Sequence, residues 1–183
     1  MMPEISLNIL DVTMNSVTAG ASLIELRLLA DSKADTLTLV IADNGCGMTP
    51  EQVENVTDPF FTSRTTRKVG LGIPFLKMAA EMAHGSFQIE SQVGVGTTIT
   101  AIFRLTDLNR MPIGDMAGTM SSLIGPNPDR DFVLTMGFDE KTFVMDTREF
   151  RSILGDISLG EPQVLEFIEN YIKEHMEETG MNI

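Results

Sequence analysis

Residues 36–48 constrain this chain more than any other stretch. Thr36-Leu37-Thr38-Leu39-Val40-Ile41-Ala42 is rich in apolar and β-branched residues and predicts a buried strand. It runs into Asp43-Asn44-Gly45-Cys46-Gly47-Met48, which places a carboxylate at the strand's edge and then turns the backbone sharply. The two glycines permit the turn, and they let something flat or anionic approach the main chain closely. Alone, the hexapeptide reads most simply as a strand-to-helix turn. Its neighbours decide whether it is more than that.

Upstream, Ile5, Ile9, Val12, Ser16 and Ala19 recur at helical spacing, which predicts a helix over 5–18 that stops at Gly20. Asp11 and Asn15 lie four apart and share one face of that helix, either as solvated surface or as a carboxylate and an amide aimed into a site. Ser22 to Ala30 alternates Ile24, Leu26 and Leu28 with Glu25 and Arg27, as a half-buried strand does. Asp31 to Asp35 then turns into the strand at 36–42.

Downstream, Thr49-Pro50-Glu51-Gln52 has the capping-box order of a helix start, followed by a short helix to about residue 56. Residues 57–69 are polar, basic and without periodicity. Arg64, Arg67 and Lys68 cluster there, with Lys77 just beyond, which suggests a lid over an anion as well as a solvated loop. Gly70-Leu71-Gly72-Ile73-Pro74 opens a helix whose expected inward residues are Phe75, Met78, Ala79 and Met82. Glycines at a helix N-terminus can seat a phosphate, because free amides and the helix dipole both point outward there. Ser86–Ser91 and Thr97–Leu105 read as a hairpin. Beyond Thr106 the expected elements are a helix over 111–124, a hairpin around Asp139-Glu140-Lys141, a short helix after Asp146, and an amphipathic helix opened by Pro162.

Composition removes whole classes of function. The 183 residues carry a net charge of −13, which argues against nucleic acid as the main partner, since phosphate binding needs a basic face, although a nucleotide needs only a local site. Cys46 is the single cysteine, which excludes an internal disulfide, fits a reducing cytoplasm and reads more simply as a space-filler than as a nucleophile. The N-terminus lacks the basic head of a leader, and no apolar run approaches the ~20 residues of a membrane span. A soluble, cytoplasmic protein is expected, without a membrane or nucleic-acid partner. Neither glycine pair has the third glycine of a dinucleotide fingerprint, no Gly-Lys-Ser/Thr of a P-loop occurs, and no Cys/His cluster suits a metal.

Five boxes in order carry a resemblance. They are Asp11-x-x-x-Asn15-Ser16-x-x-Ala19-Gly20-Ala21, Asp43-Asn44-Gly45-Cys46-Gly47-Met48, Asp58-Pro59-Phe60-Phe61-Thr62, Gly70-Leu71-Gly72 and Gly94-Val95-Gly96-Thr97. Together they resemble the Bergerat-fold ATPases, the superfamily of gyrase, heat-shock chaperones, histidine kinases and MutL. The first box is more similar to MutL and the later ones to histidine-kinase catalytic domains. The resemblance implies an α+β fold: a two-layer sandwich with a mixed, mostly antiparallel sheet and helices on one face. The ATP-binding domain would span 1–105, with a C-terminal appendage of unknown role over 106–183.

The resemblance also implies a site for ATP and Mg²⁺ built from Asn15, Asp43, Gly45, Gly47, Lys68, Gly70, Leu71, Gly72 and Thr97. Asp43 would accept from the adenine amine, Gly47 and Thr97 would hold the ring through water, Asn15 would bind Mg²⁺, and Gly70 and Gly72 would let amides reach the phosphates. Lys68 stands where histidine-kinase lids carry a further glycine, so it either stiffens the lid or offers a point charge to a phosphate. Asp11 stands where MutL-like ATPases use a glutamate base. That position makes it the candidate catalytic residue, and its side chain, one methylene shorter, leaves hydrolysis itself open.

The first box falls within the first dozen residues, so no phospho-accepting histidine domain is expected ahead of it. Two functions remain. One is a protein kinase or slow ATPase acting on or with a partner protein. The other is a non-hydrolysing, ATP-responsive regulatory module. The appendage would pack on the ATP domain and extend its core, or its last helix would make a homodimer contact. The thirteen methionines read as core filler or as a partner surface.

Overall fold

The computed structural model describes residues 2–58 and 70–183. Its elements are α1 (Ile5–Thr18), β1 (Leu23–Asp31), β2 (Thr36–Asp43), α2 (Pro50–Val56), α3 (Gly72–Met82), β3 (Ser86–Gln92), β4 (Gly96–Arg104), α4 (Met116–Ile124), β5 (Asp131–Phe138), β6 (Lys141–Asp146), α5 (Thr147–Leu154) and α6 (Pro162–Thr179). The strands form one open sheet of six in the order β3-β4-β2-β1-β5-β6. All neighbours are antiparallel except β1 and β5, which run parallel with Leu26 opposite Leu134. This is the expected mixed, mostly antiparallel α+β fold.

Alternation along the strands puts the helices on one face. In β1, Ile24, Leu26, Leu28 and Ala30 are buried, while Arg27, Leu29 and Asp31 are exposed. Helices α1, α3 and α6 pack on the buried face, and α4 sits between α1 and α6. A single core runs from Ile5 and Leu76 to Ile168 and Met181, so residues after 105 contribute to the same sheet and the same core as those before it. The apolar side of α6 (Val164, Ile168, Ile172) is buried within the chain.

Two expectations need correction. The helix expected over 111–124 begins only at Met116. Pro112 and the positive φ of Gly114 hold the preceding residues out of helical geometry, and Asp115 caps the shortened helix through the Gly118 amide at 2.8 Å. In α3 the buried side is Ile73, Leu76, Ala79 and Ala80, whereas Met78 and Met82 are 40% and 43% exposed. Methionine at helical spacing did not by itself identify the inward stripe.

Candidate functional site

The end of β2 is fixed on both sides. Asp43 faces Ile24 of β1 and Thr97 of β4 in the ladder. Its Oδ2 accepts from Ser16 Oγ at 2.5 Å and its Oδ1 from the Gly45 amide at 2.9 Å. Asn44 turns away from this pair: its Oδ1 accepts from the Ser22 and Leu23 amides at 2.9 and 3.0 Å, which anchors the loop to the start of β1.

The glycines answer to close packing. A Cβ on Gly45 would stand 2.9 Å from Ala19 Cβ, and the next residue's amide, that of Cys46, donates to the Ala19 carbonyl at 3.0 Å. Gly47 has φ +68°, and a side chain there would run into the Gln92 carbonyl. Ser91 then joins the loop to β4: its hydroxyl accepts from the Met48 amide at 2.8 Å and lies 2.8 Å from Thr97 Oγ1. Cys46 is exposed between the glycines, so it fills no interior space, contrary to its expected role.

These contacts frame a cavity of about 120 Å³ between α1 and the β2/β4 end of the sheet. Asn15, Asp43, Gly47 and Thr97 line it; so do Ser16, Cys46 and the apolar Val12, Val56, Ile73 and Ile99. A small apolar cavity with a carboxylate, a hydroxyl and an amide converging on it suits a flat, polar-edged ring better than a whole drug-sized ligand, which needs roughly 300–1,000 Å³. Gly45 lies behind Asp43. Gly70, Leu71 and Gly72 stand at the entrance to α3, where the N-cap Leu71 supplies no side-chain bond, so the first-turn amides lack a side-chain cap.

Asp11 meets that entrance. A Cβ on Gly70 would lie 3.5 Å from Asp11 Oδ2, whereas one on Gly72 would collide with the same carboxylate. A carboxylate at a helix N-terminus is favoured by the dipole. Thus Asp11, Gly70 and Gly72 form one group, and Asn15, Asp43, Gly47 and Thr97 form another one helical turn away along α1. Lys68 and the rest of the basic segment 59–69 lie outside the described residues. Ser16 and Ser91 join the expected residues here, Ser16 through the Asp43 carboxylate and Ser91 through the Met48 amide and the Thr97 hydroxyl. Ser16 stood in the helical stripe and in the first box without a role assigned to it, and nothing in the sequence marked Ser91.

A model of the family described as histidine kinase-, DNA gyrase B-, and HSP90-like ATPase matches residues 2–107. The chain belongs to this ATPase family. It is therefore of the ATP-binding type. The sensor protein kinase FleS of Pseudomonas aeruginosa is 35% identical to this ATPase domain over 98 residues, 53% of this chain and 24% of that one. Sporulation kinase B of Bacillus subtilis is 29% identical over 94 residues, 51% of this chain and 21% of that one. The chain thus spans a quarter or less of the length of these relatives. A crystal structure described as the N-terminal domain of a DNA repair protein shares the fold at a TM-score of 0.55 and 13% identity, covering 85% of this chain and 58% of that one.

The residues fit the metal that commonly accompanies ATP. Asn15 borders the cavity and Asp11 precedes it by four residues on the same helix, so an amide and a carboxylate share one face there. An amide oxygen and a carboxylate are hard donors of the kind Mg²⁺ takes, with water and phosphate oxygens completing its shell. Among the described residues no group of His, Cys, Asp and Glu forms a self-sufficient metal site, and no helix is long and apolar enough to cross a membrane.

Proposed function

We propose that this ATPase domain binds ATP with Mg²⁺ and passes the terminal phosphate to a partner protein or to water, on the cytoplasmic side of the cell. The observation that carries the reading is the Asp43 carboxylate, oriented by Ser16 and the Gly45 amide at the wall of an otherwise apolar cavity. A carboxylate has about four lone-pair sites, and two are taken, so capacity remains for an exocyclic amine. A base lacking that amine would leave the carboxylate unpaired, which is costly and therefore selective. Thr97 and Gly47 supply the neighbouring polar edge.

The phosphates would extend from this cavity toward the amides at the start of α3, with Lys68 as a further cation. A bound Mg²⁺, held by Asn15 with Asp11 beside it, would neutralise phosphate charge. Asp11 is the group that would take a proton from the attacking hydroxyl or water, since its carboxylate already lies at that helix entrance.

The test is incubation with Mg²⁺ and ATP labelled on the terminal phosphate, following free phosphate and labelled protein. Asp43→Asn is expected to abolish ATP binding, and unchanged affinity would overturn the assignment of the adenine site. Phosphate release that is lost in Asp11→Ala makes the chain an ATPase with Asp11 as base. Tight binding without release, and without transfer to any added protein, favours the regulatory module instead.

A further inference from the structure

At the other end of the sheet, α5 and α6 leave an apolar groove of about 740 Å³ between them. Ile153, Ile157 and Phe167 line it and are 81%, 55% and 58% exposed, although they lie in a chain whose remaining large apolar residues are mostly in the core. Phe167 is braced edge-on by Phe150, with ring centroids 6.0 Å apart, so the groove wall is preformed.

The charged residues that line the groove are both acidic. Asp156 and Glu161 line it, and neither has an ion pair among the described residues. The nearby cations are already engaged: Arg148 with Asp146, Arg151 with Asp131, and Lys173 with Glu169. We infer that this groove docks a cationic amphipathic segment of a partner protein, whose apolar residues cover Ile153, Ile157 and Phe167 while its lysines or arginines face Asp156 and Glu161. A second copy of a chain with net charge −13 is a poor match for an acidic rim, and so is an anionic lipid surface. Exposed apolar anchors inside a charged rim are the usual layout of a helix-in-groove contact.

The probe is a labelled synthetic peptide with leucines at i, i+3, i+4 and i+7 and lysines elsewhere, set against a twin carrying glutamates in place of lysines. Fluorescence anisotropy with the full chain is expected to favour the lysine peptide by at least about tenfold, less so at high salt. Ile153→Ser, at the most exposed position, is expected to weaken binding by about tenfold without moving Tm, and Asp156→Lys with Glu161→Lys to reverse the charge preference. Equal binding of both peptides, or binding untouched by Ile153→Ser and by Phe167→Ser, overturns the proposal. So does a wild-type dimer in sedimentation that Ile153→Ser makes monomeric, or Ile153-dependent binding to anionic vesicles.

Discussion

Ser16 donates its hydroxyl to Asp43 Oδ2 across 2.5 Å, joining the first helix to the end of the second strand at the wall of the cavity. A hydrogen bond to a charged acceptor contributes about 1.5–3 kcal/mol, and here it also fixes which way the carboxylate faces. Ser16→Ala is expected to raise the Kd for ATP by about tenfold at unchanged stoichiometry, read by titration calorimetry. An unchanged Kd would mean that the Gly45 amide alone orients Asp43.

Gly47 and Gly20 separate two costs that glycine hides. Both have left-handed φ, +68° and +78°, but a Cβ on Gly20 meets nothing within 4 Å, whereas one on Gly47 meets the Gln92 carbonyl. Gly20→Ala is expected to cost about 1–2 kcal/mol from backbone conformation alone. Gly47→Ala should cost at least twice as much and push the loop away from β3. Thermal unfolding of the two variants, with and without ATP, tests this: only Gly47→Ala should also lose the ATP-induced rise in Tm.

Thr147 is fully buried, and its Oγ1 accepts from the Phe132 amide at 2.9 Å, closing the start of β5 beneath α5. Thr147→Val keeps the shape and strands that amide, at a cost of about 1–3 kcal/mol. Urea unfolding should show a lower midpoint with unchanged m. Thr147→Ser should recover most of the loss.

Asp35 Oδ2 accepts from Arg104 Nε at 2.9 Å, and its carboxylate also takes the Thr106 amide and hydroxyl. The Arg104 bond, followed by those from Thr106, holds this carboxyl below the ordinary carboxylate range. Between the folded and unfolded pKa values the unfolded chain binds the extra proton, so the contribution is present above about pH 4 and is lost as pH falls through the folded value. Asp35→Asn should therefore lower the urea midpoint at neutral pH, with its gap to wild type narrowing as pH falls below about 4. A gap that stays constant across this range would assign the loss to packing rather than to ionisation.

Local structure was legible wherever a rule acts over a few residues. The helix expected over 5–18 is Ile5–Thr18, the strand at 36–42 extends only to Asp43, and both halves of the Thr49/Gln52 capping box form. Reading failed where the cause is distant. That β5 lies parallel to β1 depends on a crossover that leaves no mark on either strand's own alternation. On α3, Ala79 lies inward as expected, but Ile73, Leu76 and Ala80 take the places expected for Met78 and Met82, because the inward side is set by which neighbour the helix packs against. For the site, Asp43 and Asn15 stood out only through the order of the five boxes and the family they resemble, since each taken alone reads as a turn residue or as solvated helix surface. Ser91 did not, since its role exists only through Thr97, which the hairpin brings to it, and Met48, which comes from the loop after β2.

The pairing of β5 with β1 sets a schedule for synthesis. On the ribosome, β1 and β2 emerge early, followed by β4, yet the other side of β1 stays without its ladder until Asp131–Phe138 is made. Until then a central strand behaves as an open edge, the form most prone to pairing with the wrong chain. A chain stopped at Leu105 is expected to precipitate or to associate through β1. Closing the middle of the sheet thus waits for β5, which follows β1, β2, β3 and β4 along the chain.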